Sequence, residues 1–442
     1  MVRAAQPQDG RVMRPADNTA PSPPSAAESA GLIALVLIIS LFFLWGVANN
    51  LNDILIKQFK KAFELSDFQA GLVQSAFYMG YFILAIPASV CTRRLGYRGT
   101  LLIGLCLYAT GAFLFYPAAA THLYGLFLMA LFVIASGLAF LETSANPLVT
   151  VLGPAEGAAR RLNLAQSFNP LGSITGVLIG QHFIFSGVEL RPAELAGMGA
   201  SARHAYYVSQ SAAVQIPYLV IGLIVLVWAV FIAKMRLPPS AEHTAPRSAG
   251  GSNIRHLMSN FNFLLAVAAQ FFYVGAQVCV WSYLIRYVQV TLPNTPERAA
   301  ADYLTLALIV FMLGRFAGTW LMRYIPPSRL LAVFAAVDIA LVSLAIFVPG
   351  RIGVFALVIN SFFMSIMFPT IFALGLNGLD EEERKLGSSF LVMAIIGGAV
   401  LPAAMGAVSD ASGIQHAMAV PMLCFVAVIT FALHARKPSG AS

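Results

Sequence analysis

Leu123–Gly153 reads LYGLFLMALFVIASGLAFLETSANPLVTVLG, 31 residues in which Glu142 is the one charged side chain. About 20 apolar residues, rising about 1.5 Å each, cover the hydrocarbon core of a bilayer. The stretch is therefore long enough to cross a membrane, and it carries a carboxylate in its second half. An ionised group at that depth costs about 2.5–3.5 kcal/mol on insertion scales, so it usually faces a partner or a watery path.

The remainder of the chain extends the pattern. Of 442 residues, 59% are hydrophobic and 10% charged, with a mean hydropathy of +0.78. Soluble proteins carry about 25% charged residues. Apolar runs are continuous over some 20 residues, whereas a β-barrel would alternate over about 10. The composition predicts an all-α membrane protein. Spans are expected near 31–52, 67–92, 100–119, 123–152, 163–185, 211–234, 262–290, 301–323, 329–349, 352–376, 388–411 and 416–435. The polar stretch 235–261, with Pro238, Pro239, Pro246, Gly250 and Gly251, divides these into a six-helix half at 31–234 and another at 262–435.

Residues 1–30, rich in Pro, Ala and Ser, have no apolar core before a cleavage site, which predicts a disordered tail and no signal peptide. With that tail inside, links on the inner side hold 18 Lys and Arg against 7 outside. The bias places both termini, including the short tail 436–442, in the cytoplasm. The same distribution explains the net charge of +8 as a topology signal, with no nucleic-acid partner. Cys91, Cys106, Cys279 and Cys424 lie in apolar runs without paired spacing and read as small hydrophobes.

Several polar residues sit where chemistry is affordable only with a purpose. Asn49, Asn50 and Asp53 share a helical face at the end of the first span, lining a cavity or marking the outer interface with Lys57 as ion partner. Glu142 and Asn146 lie one turn apart before Pro147, which frees a carbonyl and suits a cavity wall. The competing reading is a structural glutamate bonded to a neighbouring span. Gln166 and Asn169 present amides that suit sugar hydroxyls, or serve as interhelical glue. Gln270, Tyr273, Gln277 and Trp281 follow spacings of three and four on the seventh span. Such a face can hold a sugar ring or anchor an interface. Arg315 and Asp338 are either a structural pair or a gate, and His182 reads as structural. No phosphate loop, dinucleotide turn, zinc helix or nucleophile elbow occurs, so an enzyme is not expected and ATP-driven pumping would need another subunit.

Six plus six spans around a central loop suggest the major facilitator fold, with its site between the halves. Longer stretches are more specific. Leu41–Trp45 through Leu51–Asp53, Phe68–Leu72 to Tyr81, Leu141–Thr143 to Gly153, Arg161–Gln166, Trp281–Tyr287, Tyr303–Leu304, Gly314–Phe316 and Gly387–Phe390 resemble the bacterial L-fucose:proton symporters of the major facilitator superfamily. The likeness runs through the chain after its N-terminal tail and weakens at Ser186–Tyr206 and Met235–Asn260.

The resemblance implies proton coupling by Asp53 and Glu142 and sugar recognition by Gln166 and Asn169, with Asn50 a further candidate. Asn146, Gln277 and Trp281 complete the expected substrate site. It implies a monomer in the bacterial inner membrane that handles sugar and protons without cofactor or metal. The expected activity is proton-coupled import of L-fucose or a related hexose such as galactose. Alternatives are a glucose/galactose transporter, an uncoupled facilitator, or a membrane sugar receptor that does not transport.

Overall fold

The computed structural model describes residues 33–47, 63, 67–179, 197–235 and 250–435, and those residues form helices and turns with no strand. Asn49, Asn50, Asp53 and His182 lie outside the described residues. The first half comprises α1 (Ile33–Val47), α2 (Asp67–Thr121), α3 (Tyr124–Val151), α4 (Ala158–Gln166), α5 (Phe168–Ile179), α6 (Ala200–Ala212) and α7 (Gln215–Lys234). A short helix, α8 (Gly250–Ser259), occupies the end of the stretch expected to be a linker. The second half comprises α9 (Phe261–Thr291), α10 (Glu297–Leu321), α11 (Pro327–Phe347), α12 (Arg351–Met364), α13 (Met367–Gly375), α14 (Glu381–Met393), α15 (Gly397–Ser412), α16 (Ile414–Ala417) and α17 (Ala419–His434).

Nine helical stretches among the described residues are long and apolar enough to cross a membrane. The twelve expected spans are reached once three features are read physically. The 46-residue stretch Ala76–Thr121 is over twice the length that one crossing needs. It bends at Gly96, whose φ of 71° and ψ of 177° interrupt the helix, giving two spans on either side. A left-handed φ is available to glycine at no steric cost, which places the bend there. The apolar α1 supplies a second additional span, and α4 with α5 forms a third, broken at Ser167.

Local sequence sets several helix ends. Asp380 and Glu383 form a reciprocal capping box at the start of α14. Asn260 accepts from the Phe263 N–H at the start of α9. Arg161 reaches back to the carbonyls of Val149, Thr150, Gly153 and Pro154 at 3.3, 2.7, 3.0 and 2.8 Å, satisfying the last turn of α3. The contact clamps α3 and α4 into a fixed hairpin.

Within the first half, α1 and α5 approach backbone to backbone at glycines of both helices. A Cβ on Gly172 would lie 1.9 Å from the Phe43 carbonyl oxygen, and one on Gly46 would lie 2.0 Å from that of Asn169. Glycine is the residue that permits such close approach. The two halves meet at the end of the bundle that carries the basic links. There α14 packs on α2 and α3, α13 on α4, and α10 on α4 and α5. Lys385, buried and bonded to Glu381 at 2.7 Å, lies 5.6 Å from the centre of the Tyr97 ring across this seam.

Candidate functional site

The Arg161 clamp sets the register that brings α3 and α4 side by side. Gln166, the last residue of α4, donates through Nε2 to Asn146 Oδ1 at 3.0 Å. Asn146 stands one turn from Glu142 on α3, and all three residues are at least 95% buried. Glu142 Oε2 and Asn146 Nδ2 are both buried without a hydrogen-bond partner among the described residues. An acceptor and a donor, neither in a well-formed hydrogen bond, therefore lie one turn apart and close enough to act on each other. Native proteins leave few such groups, because each costs about 1–3 kcal/mol.

This arrangement is suited to a hydroxyl-bearing molecule. A hydroxyl is donor and acceptor at once, so a single one can satisfy a carboxylate oxygen and an amide N–H together. Protonation of the carboxyl changes the demand, since the acid then offers a donor of its own. The expected cluster of Glu142, Asn146 and Gln166 is thus brought together.

Asn169 is placed differently. It is half-buried on α5 and spends Nδ2 on the Phe42 carbonyl of α1, at 3.3 Å. On α9, Trp281 donates to Ser361 Oγ at 3.1 Å and meets the Phe311 ring edge-on at 5.0 Å. Gln277 is half-buried one turn earlier. Gln270, deeper on the same helix, is fully buried with neither amide atom partnered among the described residues.

Arg315 and Asp338 are not a pair. Asp338 Oδ1 accepts from Asn360 Nδ2 at 2.6 Å, while Asp338 Oδ2 and Asn360 Oδ1 lack partners among the described residues. Arg315 instead donates from Nε to the Ser365 carbonyl at 2.7 Å and from Nη1 to the Gln166 carbonyl at 2.9 Å. Its Cζ lies 4.7 Å from the centre of the Phe311 ring. Two further bonds join the halves beside the cluster: Ser388 Oγ to the Thr143 carbonyl at 2.9 Å, and Asn163 Nδ2 to Thr370 Oγ1 at 3.0 Å.

Neither type nor spacing marks Phe311, Thr370 and Ser388, because a hydroxyl or a ring in an apolar span is commonplace. A usable signal existed, since a proline marks the carbonyl four residues before it as unpaired.

No group of His, Cys, Asp and Glu fit to hold a metal ion occurs among the described residues. The Major Facilitator Superfamily model matches residues 32–395. The chain is 47% identical to the L-fucose-proton symporter of Escherichia coli K12, over 91% of this chain and 92% of that protein. It is 36% identical to a glucose/galactose transporter of Brucella abortus, over 96% of this chain and 98% of that one. Among solved structures it matches the transporter FucP in the outward conformation, with a TM-score of 0.86 and 46% identity, covering 92% of this chain and all of that one. The chain belongs to the Major Facilitator Superfamily and groups there with the bacterial L-fucose–proton symporters.

Proposed function

We propose that this chain is a proton-coupled sugar symporter that imports L-fucose, with Glu142 as the proton carrier. The observation that carries the reading is the buried pairing of unsatisfied Glu142 Oε2 with unsatisfied Asn146 Nδ2, flanked by Gln166. Family membership supplies the substrate class, and 47% identity to a fucose symporter favours fucose over the hexoses carried by relatives at 36%. Asn50 and Asp53, at the end of the first expected span, are proposed to extend the sugar and proton path. Asn169, Gln277 and Trp281 are proposed to border the sugar from either half.

The basic end is read as cytoplasmic, with both tails and the link between the halves on that side and the bilayer taken as the bacterial inner membrane. The seam bonds then close the cytoplasmic end, the arrangement expected of the outward-facing arm of the cycle. Proton and sugar enter from the far side. Neutralising Glu142 lowers the cost of enclosing it, because a buried charge is far more expensive than a buried acid. The halves then part at the basic end, where sugar leaves and the higher pH removes the proton. Net coupling requires the doubly loaded form to change state more readily than the singly loaded ones. The protein is taken to act as a monomer, since the site is assembled from one chain.

The test is uptake of labelled L-fucose into proteoliposomes under an inward proton gradient, with galactose and glucose as competitors. Accumulation that collapses with a protonophore supports symport. Equilibration indifferent to pH replaces it with facilitated transport, and stronger competition by glucose reassigns the sugar.

A further inference from the structure

Three prolines stand along the seam: Pro147 in α3, Pro170 in α5 and Pro369 in α13. Proline has no N–H, so each removes the helical partner of the carbonyl four residues earlier. Counting back from each gives Thr143, Gln166 and Ser365. These are the carbonyls that Ser388 and Arg315 reach: the Ser388 hydroxyl divides its one proton between Thr143 and, at the same 2.9 Å, the Lys385 carbonyl of its own helix, while Arg315 takes both Gln166 and Ser365. Two of the three bonds cross from one half to the other. The third fixes the arginine to its own half.

Arg315 is 4% exposed and makes no salt bridge among the described residues. Its guanidinium rests on two main-chain carbonyls and the face of Phe311. The planar fork suits this task, because its N–H groups point at two acceptors in a fixed geometry that the rotating ammonium of a lysine does not hold.

We infer that Arg315 is the positioning residue through which the second half governs the Gln166–Asn146–Glu142 chain, by gripping the carbonyl that Pro170 releases. Gln166 ends α4, and Ser167 marks the break between α4 and α5. Holding its carbonyl fixes that break, and with it the side chain that bonds Asn146. Ser388 does the same for the carbonyl of the residue that follows Glu142. A carbonyl without a helical partner needs a donor in every state. Parting the halves therefore transfers the Thr143 and Gln166 carbonyls from protein donors to water in one step. A half-open seam would leave them bare, so the change of state is concerted. The inference rests on this chain of residues being the transport site.

The experiment compares Arg315→Gln with Pro170→Ala, singly and together, in purified full-length protein. Removing the clamp is expected to weaken L-fucose binding about tenfold and raise amide exchange across 163–171 by a similar factor, as fits loss of a charged hydrogen bond. The melting temperature reports separately on folding. Pro170→Ala gives the Gln166 carbonyl an N–H within its own helix, so the double variant should recover most of the loss in both readouts. Arg315→Lys, which keeps the charge without the fork, serves the same comparison if the glutamine variant does not fold. Unchanged binding and exchange in both Arg315 variants would overturn the inference, and so would losses that simply add in the double variant. If the parent protein binds none of the sugars, the fucose reading fails by itself, and the exchange rescue by Pro170→Ala still decides the role of Arg315.

Discussion

The two halves contribute different chemistry to the same seam. The first supplies a carboxyl and amides whose side chains bond one another, with an acceptor and a donor left over. The second supplies hydroxyls, rings and a guanidinium, and much of what it offers goes to the first half's main chain. One half carries groups that can exchange partners with a solute or a proton. The other, apart from the Gln270 amide that is likewise buried without partners among the described residues, carries groups that report whether the seam is closed. A carboxylate in each half would suggest equal roles, yet Glu142 and Asp338 differ in their surroundings. Asp338 is bonded to Asn360 on the neighbouring helix, within its own half.

The sharpest way to break this contrast is Glu142→Gln. Gradient-driven accumulation of fucose should fall to background, while exchange of labelled for unlabelled sugar persists. Retained accumulation would move the proton elsewhere. Next in size is Gln166→Ala, expected to weaken fucose binding by about tenfold, since two hydrogen bonds of about 0.5–1.5 kcal/mol each are lost. Equilibrium binding to the purified protein measures it. Asp338→Ala should lower stability by about 1–3 kcal/mol by orphaning the Asn360 amide, a loss visible in thermal melting. Asp338→Asn, in contrast, offers an N–H toward the unpartnered Asn360 Oδ1 and should leave accumulation within about twofold. Abolished coupling in that variant would make Asp338 a second proton carrier and erase the distinction. The smallest effect is expected from Trp281→Phe, which removes the bond to Ser361 but keeps a ring against Phe311, worth about 1 kcal/mol in binding or melting.

Much of the first half was legible because its contacts are short-range. Glu142 and Asn146 are one turn apart, and Gln166 follows after a single tight hairpin, with the bond spanning 20 residues. The twelve spans were likewise written in continuous apolar runs. The second half was harder to read because its function lies in partners far along the chain. Arg315 and Gln166 are 149 residues apart, and Ser388 and Thr143 are 245 apart. Neither local periodicity nor residue type encodes such pairings. Asn169 illustrates the opposite ambiguity: an amide that suits a sugar also suits a neighbouring backbone, and its N–H group is spent on Phe42. The helix α8 has little apolar signal in its ten polar residues, although it buries Leu257 and sets His256 against Glu383.

The glycine contacts of α1 and α5 bear on how such a molecule can be engineered. With Gly172 against the Phe43 carbonyl and Gly46 against that of Asn169, even a methyl group has no room. Two helices locked backbone to backbone behave as one mechanical part, and neither can slip by a residue without collision. Flexibility must be sought at the seam, where side-chain bonds and helix packing, and not interlocked backbones, do the holding. Crosslinks or fused reporters placed along the α1–α5 pair should leave the working motion intact, whereas those spanning α4 and α13 should stall it.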